Sequence, residues 1–201
     1  MTSQNLKPLV ELQANTSSFF NQFHQKYQAH MQCKIQCSQC CHVDLSIFEG
    51  EAAAILEWVK NLDEEKKQTL LKTLTEPEQT TTYKKRKACV FLRDNKCSIY
   101  DARPIICRTQ GVALQYKTFE DKNNTKIHVD VCPLNFTKEE SFPEQKNWLD
   151  LDRLNSLQSI AENFFQKNKL ENSENPLPKN AEGRVELRKL KEEIVDGLNV
   201  Y

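Results

Sequence analysis

Glycine is scarce in this chain, at four of 201 residues. Phosphate-cradling loops and the dinucleotide-binding fingerprint need several glycines close together, so neither is expected. Net charge is absent too: 28 Lys and Arg balance 28 Asp and Glu. No global field therefore draws in nucleic acid or acidic lipid. No apolar run approaches bilayer length, which excludes a helical membrane span. Hydrophobic residues supply only 38% of the chain, a share that favours amphipathic helices over buried sheets. The opening MTSQNLKPLVELQ has neither the basic n-region nor the apolar h-region of a secretory signal. The expected setting is a reducing cytoplasm, with no nucleic acid and no membrane as partner. Oligomeric state and any redox or protein partner stay open.

What the chain has in unusual measure is cysteine. The eight are Cys33, Cys37, Cys40, Cys41, Cys89, Cys97, Cys107 and Cys132, and the first four fall within CKIQCSQCC. In a reducing compartment such clusters seldom persist as disulfides. Inert packing cysteines would account for one or two positions, not four in nine. A Cys–His nucleophile is poorly served, because histidines are few, at four in the chain. Metal binding is the reading that remains. Thiolate is a polarizable anion, and four of them suit zinc or an iron–sulfur cluster.

Cys33, Cys37 and Cys40 are spaced to reach one centre from one loop. Cys41 adds a sulfur, but neighbouring residues usually project in divergent directions. Cys40 and Cys41 therefore serve different centres, or share one through a distorted backbone. Cys89, Cys97, Cys107 and Cys132 supply four more sulfurs. Two four-thiolate sites, or one site with spare thiols, both fit the spacing. In CSIYDARPIICR, Asp101 is expected to cap a helix whose first turn includes Pro104. Cys107 then sits early in that helix between Arg103 and Arg108. Helix-end amides and guanidinium groups would lower its thiol pKa; the alternative is that both arginines form surface ion pairs.

Apolar spacing predicts a helix from Leu6 to Met31, then a short strand in HVDLSIF. A helix follows in EGEAAAILEWVKNL, and another opens at an Asp63 N-cap and carries Leu70, Leu71 and Leu74. Residues 76–88 read as a polar loop in which Lys84 to Lys87 are solvated. CVFLRDNKCSIY predicts two strands around a turn at Asp94-Asn95, and GVALQYKTF with KIHVDVC a second hairpin. Leu154, Leu157, Ile160, Ala161, Phe164 and Phe165 mark one more helix, and Leu187, Leu190, Ile194 and Leu198 a last one. The expected architecture is α+β, mainly helical, with small β-hairpins carrying a cysteine-rich metal-binding centre. Residues 1–170 form the cysteine-cluster domain around a core at 33–133, residues 171–182 a linker and 183–201 a C-terminal helix.

The double cysteine of Cys33-x3-Cys37-x2-Cys40-Cys41, the stretch CVFLRDNKCSIYDARPIICR and the Cys132-Pro133 pair together resemble the YkgJ-type cysteine-cluster family over about residues 33–133. That family is described as zinc- or iron-chelating, and its members are often labelled iron–sulfur proteins. The resemblance implies all eight cysteines as metal-site candidates. Val90 and Asn95 depart from the proline and glycine common there, without removing a sulfur. Flagellin lysine N-methylase relatives make a cluster-dependent methylase one alternative, and a zinc-stapled interaction module is another. The leading expectation is an iron–sulfur protein, 4Fe–4S favoured over zinc, in electron transfer or metal handling. A radical S-adenosylmethionine triad at Cys33, Cys37 and Cys40 would need the alternating strands and helices that this chain lacks.

Overall fold

The structure is a computed structural model. It describes residues 3–33, 37–78, 82–83, 86–121, 124–169 and 177–199.

Helix α1 (Lys7–Tyr27) carries Pro8 in its first turn, where a missing N–H costs nothing, and ends in a 3₁₀ turn at Gln28–His30. The short strand β1 (Ser46–Ile47) leads into α2 (Glu49–Lys60), and Asp63 caps α3 (Glu64–Thr75) by accepting from the Lys66 amide at 2.9 Å. Four two-residue strands follow: β2 (Thr82–Tyr83), β3 (Arg86–Lys87), β4 (Leu92–Arg93) and β5 (Lys96–Cys97). The pairing of β2 with β3 corrects the loop expected over 76–88, of which Lys84 and Lys85 lie outside the described residues. Between β4 and β5, Asp94 and Asn95 both take positive φ, 47° and 59°. That is the backbone of a two-residue hairpin turn whose twist matches the strands.

A 3₁₀ turn at Tyr100–Ala102 precedes the single-turn helix α4 (Ile105–Arg108). Strands β6 (Leu114–Asp121) and β7 (Asn124–Asp130) form the long hairpin, and β8 (Leu149–Asp150) joins β6 in parallel. Helix α5 (Leu151–Asn168) begins at Asp150, whose carboxylate accepts from the Arg153 amide. Strand β9 (Val185–Glu186) pairs antiparallel with β1 and runs into α6 (Leu187–Asn199). No helix among the described residues is long and apolar enough to cross a membrane.

The apolar residues gather in three clusters rather than one. Ile55, Leu74, Phe91, Ile99, Leu190 and Ile194 tie α2, α3 and α6 to the β4–β5 hairpin. Leu9, Ile105, Leu154 and Phe165 join α1, α4 and α5. Phe23, Met31, Val112, Ala113 and Phe136 make the third, with Phe136 edge-on to Phe23 and Tyr27. Leu157, Ile160 and Phe164 of α5 face water instead. The fold is mainly helical α+β, and the cysteines occupy the irregular ground between its clusters. Cys89 and Cys97 pack on the first and Cys33 on the third. Cys107 lies two residues beyond Ile105 of the second.

Candidate metal centre

All eight cysteines are free thiols. Those on loops are held by contacts from distant parts of the chain. Cys33 ends the stretch after α1. Its carbonyl accepts from His24 Nε2 at 3.0 Å, and Asn135 Nδ2 donates to its sulfur at 3.4 Å. Asn135 is buried; its Nδ2 also donates to the Gly111 carbonyl, and its Oδ1 accepts from the Gln32 amide. Gly111 has φ of +98°, and a Cβ there would stand 2.4 Å from Cys33 Sγ. Glycine is thus required twice, for backbone conformation and for room.

Cys40 and Cys41 lie in a 3₁₀ turn at Gln39–Cys41. Three residues per turn aim consecutive side chains about 120° apart. Ser38 anchors this turn by donating from Oγ to Asn95 Oδ1 at 2.8 Å, which ties it to the β4–β5 hairpin. His42 is buried and donates from Nδ1 to the Ser38 carbonyl. The Cys89 amide donates to the Cys41 carbonyl at 2.7 Å, so the two cysteine segments meet backbone to backbone.

The hairpin presents two sulfurs in the same local way. Residue 91 sits two beyond Cys89, and residue 99 two beyond Cys97. In each case the later backbone amide is directed at the cysteine sulfur and favours its thiolate. Amides aimed at sulfur are what an anionic thiolate needs once it leaves water.

Electrostatic neighbourhood divides the thiols. Cys33 feels Cys132, Cys37 and Cys40. Cys107 feels Cys97, Cys89 and Cys40, and Cys41 feels Cys40, Cys97 and Cys107. Cys33 thus neighbours Cys37 and Cys132, Cys89 and Cys97 neighbour Cys107, and Cys40 neighbours both sets. Cys40 stands at their border, since its sulfur accepts a hydrogen bond from Cys41. That bond, aided by the Arg103 guanidinium, lowers the Cys40 thiol to about 7 and raises that of Cys41. Burial pushes Cys33 and Cys97 up to about 11. The thiols are gathered without being closed on a point. Among the described residues no three His, Cys, Asp or Glu side chains already stand in ion-holding geometry.

Two expectations around Cys107 need correction. Asp101 does not cap its helix. Asp101 lies in the preceding 3₁₀ turn, Pro104 occupies the N-cap, and the Ile105 amide donates to Glu51 Oε1 at 2.8 Å. Proline's fixed φ and extended ψ leave no helical path back to Asp101. The Cys107 thiol is also raised rather than lowered, by burial first and then by Cys97 and Cys89. Among the described residues neither arginine makes an ion pair. Arg108 is buried and donates to the Arg103 and Asp101 carbonyls and to Ser17 Oγ. Arg103 stacks on the Tyr100 ring, 3.8 Å from its centroid.

Sequence reasoning did not find His24, Gly111, Asn135 or Glu51. Glu51 is almost wholly buried, and its two oxygens take the amides of Ile105 and Phe48, fixing α4 to α2. Its partners are 54 and three residues away, and only the second distance is visible as a local signature.

No curated protein and no solved structure matches this chain. A family model does, across residues 32–133, which takes in all eight cysteines and about half of the chain. On the strength of that match the chain belongs to the CxxCxxCC family, described as "Putative zinc- or iron-chelating domain".

Proposed function

We propose that this protein holds metal through its cysteine thiolates, as an iron–sulfur protein of the 4Fe–4S type in electron transfer or metal handling within the cytoplasm. The observation that carries the reading is the meeting of the cysteine-bearing segments, Cys89 amide to Cys41 carbonyl, among eight free thiols, two of which have backbone amides aimed at sulfur. The donor set is all sulfur, which suits soft or borderline metals. Room for the group is also built in, because Gly111 removes the Cβ that would collide with Cys33. A bound cluster would supply one-electron chemistry. This chain's residues would orient the thiolates, with Asn135 donating to Cys33 and Arg103 offsetting negative charge near Cys40. Its partner would then be a redox or other protein.

Zinc is the second reading, favoured by the paired sulfur-directed amides of the hairpin, an arrangement that equally serves a compact tetrahedral ion. Purification without oxygen, followed by iron, zinc and acid-labile sulfide analysis, separates the two. Brown protein with iron and sulfide is expected. Colourless protein with stoichiometric zinc selects the second reading, and metal-free, fully folded protein refutes both.

A further inference from the structure

The loop after α1 and the turn after β7 lie far apart in sequence, yet one residue fastens them together. The backbone amide of Asn135 donates to the Cys132 carbonyl at 2.9 Å and closes a turn over Cys132–Asn135. The next amide, that of Phe136, donates to the His30 carbonyl at 2.9 Å, so the turn is docked on the chain just ahead of Cys33. The Asn135 side chain, 2% exposed, then reaches into the Cys33 loop. Two backbone partners decide which way its amide faces. The Gln32 N–H at 2.8 Å demands an oxygen, and the Gly111 carbonyl at 2.9 Å demands a nitrogen. One N–H of Nδ2 is left over, and Cys33 Sγ stands 3.4 Å from that nitrogen. A neutral thiol sulfur is a weak acceptor, whereas an ionised one makes a strong hydrogen bond. A buried N–H whose remaining partner is this sulfur therefore suits Cys33 as a thiolate. Gly111 packs against the same sulfur and lines, with Cys132, one cavity of about 270 Å³.

We propose, resting on the metal-binding reading, that Cys33 and Cys132 are ligands of one and the same ion or cluster, and that Asn135 is the residue that positions them as a pair. Asn135 holds Cys132 through its backbone and Cys33 through its side chain. Both ligands thus move with one buried residue. Bringing together two points about a hundred residues apart costs loop-closure entropy, and here the fold has met that cost before metal arrives. The pair is the preformed part of the site, and further sulfurs join it as metal binds. Asn135 does not itself ligate. Its N–H withdraws charge from the Cys33 sulfur, which fixes the direction of the thiolate and, for a redox centre, favours the more negative reduced state. Asn135→Asp keeps the oxygen that serves Gln32 and puts a second oxygen where the donor to sulfur stood.

Two measurements on the full-length protein test the pairing, and the first needs no metal. Dibromobimane becomes fluorescent once both its arms have alkylated thiols. Brief, substoichiometric treatment of the metal-free protein, followed by peptide mapping, should return Cys33 linked to Cys132. Asn135→Asp should reduce the yield of that link severalfold. Links among other cysteines without this one overturn the proposal. The second measurement uses cobalt(II) as the probe. Asn135→Asp should bind it about 10–100-fold more weakly. The thiolate-to-cobalt charge-transfer band should also move to longer wavelength, because a sulfur without its donor gives up an electron more readily. A side chain that merely props the fold would lower the urea midpoint and leave the band of the saturated protein where it was. Cys33→Ser and Cys132→Ser should each remove the same ion, so the double variant binds as much cobalt as either single one. Additive losses, or an unmoved band in Asn135→Asp, overturn the pairing while metal binding itself stands. Protein that is isolated without metal and takes up no cobalt refutes the underlying reading as well.

Discussion

At the scale of single residues, the centre depends on groups that carry no metal chemistry of their own. Gly111 is the sharpest case. A side chain there would meet Cys33 Sγ at 2.4 Å, on a backbone with φ of +98°. Gly111→Ala should therefore destabilise the protein by about 1–3 kcal/mol through backbone strain, before the collision with sulfur is counted. Gly183 provides the control: it has φ of +73° and nothing within 4 Å of a new Cβ. Gly183→Ala should reproduce the strain and leave metal content untouched, whereas Gly111→Ala should lower both stability and metal content. Urea denaturation with metal analysis on the two variants decides it, and equal metal content in both would remove Gly111 from the site. The cysteines themselves were legible because clustering in sequence already brings sulfur together. Gly111, Asn135 and His24 were not, since each acts on Cys33 through space from another segment. A buried amide side chain that satisfies three partners looks in sequence like any loop asparagine.

At the scale of elements, legibility followed the range of the forces involved. The helices declare themselves through apolar spacing, and the turn at Asp94-Asn95 through residues that tolerate positive φ. The pairing of β1 with β9 joins residues about 140 positions apart, and no local pattern announces it. Asp101 misled because a capping residue before Pro104 is locally plausible, while the true acceptor, Glu51, comes from α2. A second long-range device sits at the start of that helix. Glu49, 8% exposed, binds Lys169 beyond α5 and Lys179 ahead of β9, at 3.1 and 2.5 Å. Burial alone would raise its pKa, but hydrogen bonds from Lys179, Gln166 and Lys169 hold it below the usual carboxylate value. A depressed carboxyl stabilises the fold above its unfolded pKa of about 4.3, and that stability is lost as pH falls through the folded value. Glu49→Gln should cost about 1–2 kcal/mol at pH 7, discounted because both lysines are one-third exposed. The gap from the parent should close as the pH is lowered through the range below about 4. Paired urea titrations at neutral and acid pH would show it; a gap that persists in acid assigns the loss to packing instead of charge.

At the scale of the whole molecule, the centre occupies ground that secondary structure holds only weakly. Strands β4 and β5 have two residues each and α4 is a single turn. Three separate apolar clusters border this region, and none spans it. A bound metal would cross-link the segment around Cys37 to the β4–β5 hairpin, to α4 and to the chain after β7, so binding free energy becomes folding free energy for residues 33–133. Burial raises the pKa of Cys33, Cys97 and Cys107, so removing metal leaves neutral thiols there. The apo centre should then loosen through lost cross-links without being driven apart by charge. Helix α5 packs on α1 and α2 through Leu154, Ala161 and Phe165 and carries no cysteine. Amide hydrogen exchange before and after complete chelation should show protection lost across the two cysteine segments and the hairpin, while Leu154 to Phe165 stay protected. Protection unchanged at the centre would mean that the three clusters hold the thiols without metal. Simultaneous loss in α5 would mean that the clusters unfold as one unit, with the metal supporting the whole chain.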